Sequence, residues 1–101
     1  MPARTIGRVA HTLDDLVQMQ QAADQAHAHV LQLRDQYGRP TQVEWTDEQT
    51  LTYEQAWQTW REQAREVQAA VTEHAAAEER PRFVVEAEVK KKARHPEPAE
   101  G

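Results

Sequence analysis

With 101 residues, a net charge of −5 and no cysteine, the chain has room for one small domain and excludes disulfide staples and thiolate metal sites. Aromatic residues make up only 6% of it, so its bulk is concentrated at a few positions instead of a thick core, the economy of a helical hairpin or bundle. Its apolar runs are a few residues long, far short of the roughly 20 that cross a bilayer, so no membrane association is expected and a cytoplasmic location is.

Residues 1–11 read as an N-terminal arm carrying Arg4 and Arg8, with a short extended piece expected at Thr5 to Ala10. Thr12-Leu13-Asp14-Asp15 then predicts a helix start. The threonine can accept from the orphan N–H groups of the first turn, and the two aspartates sit at the positive end of the helix dipole. From there Leu16, Met19, Ala23, Ala26, Val30, Leu33 and Tyr37 recur in alternating steps of three and four, which keeps them on one face of a helix over about 13–37. Gly38 and Pro40 end it.

The next start is offered twice, by Thr46-Asp47-Glu48-Gln49 and by Thr52-Tyr53-Glu54-Gln55, both of the capping-box form. Thr46 is favoured, giving a helix over about 47–79 that Pro81 closes. Its stripe is Tyr53, Trp57, Trp60, Ala64, Val67 and Val71. Pairing Tyr37 with Tyr53 across a short loop zips the two stripes into a long antiparallel hairpin spanning 12–80, with Val30 opposite Trp60, Ala26 opposite Ala64 and Leu16 opposite His74. The expected fold class is therefore all-α.

Leu13, Val17 and Leu31 make a second, weaker stripe on the first helix, while Leu51, Ala56 and Ala70 fall away from the main seam of the second. A two-helix core is thin, so this extra apolar surface predicts packing against a second copy, giving a homodimer of four helices, or against the chain's own C-terminal segment. That segment, 81–94, alternates apolar and charged residues from Val85 onward and reads as a short strand, with a third helix as the rival. Residues 95–101 read as a disordered tail.

Chemistry-bearing patterns are few. There is no serine, no cysteine and no glycine-rich phosphate loop among three glycines, and two helices seldom enclose a substrate pocket, so no enzyme is expected. Asp24 and His27 have the carboxylate-x-x-histidine spacing of helical metal sites, but the second helix supplies no matching pair, and no metal or cofactor is expected. Two binding surfaces remain. Leu13, Val17 and Leu31, with Trp45 at the loop, form the expected contact face of a helical interaction or adaptor protein. All three lysines stand together as Lys90, Lys91 and Lys92 next to Arg94, and this basic end is the alternative, a contact for DNA or RNA phosphates.

Overall fold

Two reciprocal caps set the start of the long helices. The computed structural model describes residues 11–95, and in it Thr12 Oγ1 accepts from the N–H of Asp15 while the Asp15 carboxylate accepts from the N–H of Thr12, both at 3.0 Å. The same exchange joins Thr46 and Gln49, again at 3.0 Å in each direction. Each box satisfies two donors that the helix leaves orphaned. Helix α1 runs Leu13–Tyr37 and helix α2 runs Asp47–Ala77, unbroken through Thr50 and Thr52.

The ends are equally local in origin. Gly38 takes φ 86° and ψ 167° after α1, a backbone region essentially reserved to glycine. Past α2, Glu79 adopts φ 55°. The N–H of Arg80 then bonds to Ala75 O at 2.9 Å and that of Glu79 to Ala76 O at 3.2 Å, the paired closure of a Schellman motif. Pro81, with its fixed φ, follows and reverses the chain.

After Pro81 the structure departs from the strand expected there. Residues Arg82–Arg94 form a third helix, α3, and among the described residues there is no strand. The reason lies in a spacing of four. Val85, Val89 and Ala93 fall on one helical face, and all three are buried, whereas a strand would have needed a pairing mate for its backbone. Lys91, Lys92 and Arg94 close α3 where its dipole favours positive charge.

The two-helix hairpin is thus corrected to a bundle of three helices, each packed against the other two. The core divides into two clusters. At the end away from the α1–α2 loop, Leu16 and Ala23 meet Val67, Ala70, Val71 and Ala75, and α3 adds Val85 and Val89. Toward the loop, Val30, Leu33 and Ala56 are surrounded by the partly buried Tyr37, Tyr53, Trp57 and Trp60. Val30 and Trp60 share a cluster, in keeping with the predicted register. Ala56 and Ala70, placed off the seam by sequence, are instead buried in it. The whole side chains of Val85 and Val89, both fully buried, are each worth on the order of 1.5–3 kcal/mol when removed from water. The extended piece expected at Thr5 to Ala10 and most of the expected disordered tail lie outside the described residues. No helix among those described is long and apolar enough to cross a membrane.

Candidate interaction groove

Helix α3 is too short to finish the bundle. With 13 residues against the 31 of α2, it extends about 20 Å where α2 extends about 46 Å. It turns back at Pro81 and ends where Lys90 and Arg94 border a recess with Asp24 and His27 of α1 and Trp60 and Ala64 of α2. Beyond that point the stripe that α3 covers lower down continues as Trp60, Trp57 and Tyr53 with no third helix above it.

This uncovered half carries an open groove of about 620 Å³, lined by Trp45, Tyr53 and Trp57 together with Glu44, Glu54 and Arg61. Its walls are set by ring packing. Trp45 lies edge-on to Tyr53, with centroids 5.0 Å apart and planes at 76°, and edge-on to Tyr37 at 5.3 Å. Trp57 meets Trp60 at 4.9 Å and 65°, and His27 of α1 lies over Trp60 at 4.5 Å. Near-perpendicular packing aligns the positive edge of one ring with the negative face of the next and fixes both. The Trp45 indole N–H also donates to Gly38 O at 2.8 Å, so the loop side of the groove is rigidly placed.

The position of α3 is itself fixed by polar contacts with α2. Arg82 donates to Thr72 Oγ1 at 2.9 Å and to Gln68 Oε1, and to Glu86 at 2.8 Å. Gln68 donates in turn to the other oxygen of Glu86 at 3.4 Å, which also pairs with Lys90 at 3.0 Å. The Lys90 hydrogen bond holds the Glu86 carboxyl below its ordinary value, against burial that pushes it up, with Arg82 acting in the same direction as Lys90. Arg80 pairs with Glu88 at 2.9 Å. At the far end the imidazole Nδ1 of His74 lies 3.0 Å from His11 O, tying the approach to α1 onto α2.

The four residues expected at a contact surface end in different places. Leu13 packs on the cluster that includes Val85 and Val89, and Val17 is partly buried. Leu13 thus joins the core that α3 helps to complete. Leu31, one helical turn beyond His27 on the side of α1 that borders the recess, remains 40% exposed. Trp45 is part of the groove wall. Of the basic residues, Lys90 is engaged with Glu86, while Lys91, Lys92 and Arg94 are exposed. Among the described residues no three or more histidine, aspartate or glutamate side chains come together as a metal site would require.

Sequence reasoning missed Tyr53 and Trp57 as groove residues, because their periodicity marks them as core. It also missed Phe83, which is 73% exposed, and Val84 beside it; an aromatic at the first turn of a helix, off the Val85–Val89–Ala93 face, is the signal that marks it. Compared with known proteins, the chain matches no family model, no curated protein and no solved structure.

Proposed function

We propose that this chain is a small, non-enzymatic helical interaction protein, which self-associates or joins other proteins by accepting a helix into the open groove between the α1–α2 loop and α2. The observation that carries this reading is the continuation of the aromatic stripe, Trp60, Trp57 and Tyr53, past the end of α3. A groove bounded by the α1–α2 loop and the flank of α2, with the rings of Trp45, Tyr53 and Trp57 in its wall, offers an apolar seat for a helix, and Leu31 stands exposed on α1 as a second apolar residue. The reading is tested by proximity cross-linking in the source cell with intact protein and with Trp57→Glu and Leu31→Glu forms. Cross-linked products that disappear with both substitutions and persist when Lys90, Lys91 and Lys92 are all changed to Gln support it; products indifferent to Trp57 and Leu31 remove it.

A second reading is supported by the exposure of Lys91, Lys92 and Arg94 on one helix end, namely contact with DNA or RNA phosphates. Titration of a fluorescent duplex and a single strand at rising salt separates the two. Phosphate contacts weaken steeply with salt and are lost with the lysine substitutions, while apolar docking does neither.

A further inference from the structure

Besides the unfilled groove, the described residues leave an apolar surface open on α3, and it has the chemistry to fill the groove. Phe83 at 73% exposure and Val84 at 37% stand on the outer side of α3, away from the Val85–Val89–Ala93 face that holds α3 to its own bundle. Ala87, also exposed, lies one turn beyond Phe83. Phe83, Val84 and Ala87 make an apolar strip about one turn, roughly 6 Å, long, short enough to seat within the groove that α2 lines from Thr50 to Arg61, roughly 17 Å of helix.

We propose that the occupant of the groove is α3 of a second copy of this chain, so that two copies interlock about a two-fold axis, each seating Phe83 against Tyr53 and Trp57 of the other. This rests on the reading of the groove as a helix-docking surface and names its occupant. The two features lie at opposite ends of the molecule, Phe83 beside the end of α2 and the groove beside the α1–α2 loop. Two copies laid antiparallel, stepped face to stepped face, therefore bring both strips to both grooves at once, the self-complementary arrangement that a two-fold axis demands. Charge agrees at the outer ends. The N-terminal end of the incoming α3, with its positive dipole, arrives at Glu44 and Glu54 of the groove, while Arg80 and Arg82 stay paired with Glu88 and Glu86 of their own chain. At the centre the charge is like with like, because the Lys91, Lys92 and Arg94 ends of both helices approach there along with Arg61. Salt screens that repulsion and leaves the apolar contacts intact, so the pair tightens as ionic strength rises, the opposite of phosphate binding.

Sedimentation equilibrium over a concentration series, at 50 mM and 500 mM salt, tests this with the full chain. The expected result is a species of twice the 11.6 kDa chain mass, more populated at the higher salt. Phe83→Glu and Trp57→Glu each weaken it at least tenfold when alone, with far-UV circular dichroism reporting retained helix. An equimolar mixture of the two variants regains association, because the mixed pair keeps one intact Phe83-in-groove contact, whereas each variant paired with itself keeps none. The absence of cysteine permits a second measurement independent of those substitutions. Copies carrying Phe83→Cys and copies carrying Thr50→Cys, at the groove, form a disulfide-linked pair on oxidation far more readily than Phe83→Cys with Glu66→Cys.

A chain that stays monomeric throughout, a mixture no tighter than its components, or equal cross-linking at Thr50 and Glu66 overturns the interlocked pair. A monomer whose cross-linked products still depend on Trp57 and Leu31 would leave the groove as a docking surface for a different protein. Products indifferent to both residues would remove the docking surface itself.

Discussion

The indole of Trp45 and the carbonyl of Gly38 are joined across the α1–α2 loop by a 2.8 Å hydrogen bond, and the same glycine has φ 86° and ψ 167°. A Cβ placed on Gly38 would lie 3.0 Å from Val43 Cγ2. The end of α1, the turn and the wall of the groove are thus settled by one residue that cannot carry a side chain without strain.

Gly38→Ala is accordingly expected to destabilise the fold by about 1–3 kcal/mol, from backbone strain and the displaced Val43 methyl. Trp45→Phe, which keeps the ring and removes the donor, should cost about 1 kcal/mol. Urea unfolding followed by circular dichroism measures both.

Glu79 invites the reverse change. It holds a left-handed conformation, φ 55°, that costs an L-residue roughly 1–2 kcal/mol, and it places a negative charge just past the negative end of α2. Glu79→Gly keeps the Schellman closure and removes both penalties. A gain of about 1 kcal/mol is expected, raising the melting temperature by roughly 4–8 °C.

Helix α3 belongs to the core, so a chain ending at Arg80 is expected to lose cooperative unfolding, with Leu16, Val67 and Val71 opened to water. Val85→Ala in the intact chain, at a residue with no exposed surface, should cost about 2 kcal/mol. Thermal melts of the two forms test whether the third helix is structural.

Glu86 sets a pH dependence. Because Lys90, with Arg82, holds its carboxyl below the ordinary 4.5, its contribution is fully present above that value and is lost as pH falls through the lower, folded-state value. Glu86→Gln should therefore be less stable than the parent at pH 6, with the difference closing as the pH is taken below 4. Urea midpoints of the two proteins across this range provide the check.

Much of the fold was legible because much of it is local. Thr12 and Thr46 announce helix starts through partners three residues away, and Tyr37-Gly38 announces an end. The three-four alternation from Leu16 to Tyr37 needs only one helix to be recognised. What escaped was decided between elements. Val85 and Val89, four apart, also fit a strand two residues at a time, and only a groove in α1 and α2 to receive them decides for the helix. Alanine at 56 and 70 carries too little bulk to declare its face. The candidate site was the least legible part, since Trp57 and Tyr53 read as core in sequence. They line an open groove because α3 stops short of them, and that depends on the relative lengths of two helices and the turn at Pro81.

All three tryptophans, at 45, 57 and 60, sit in the loop-side half, while the half completed by α3 contains none. Intrinsic fluorescence is in consequence a probe of one end of this molecule alone. A loosening at the Pro81 end of the third helix, remote from Trp60, would register in ellipticity or amide exchange ahead of emission, whereas loss of its Lys90–Arg94 end would reach Trp60, so a mismatch between those signals would locate the weaker part without any label.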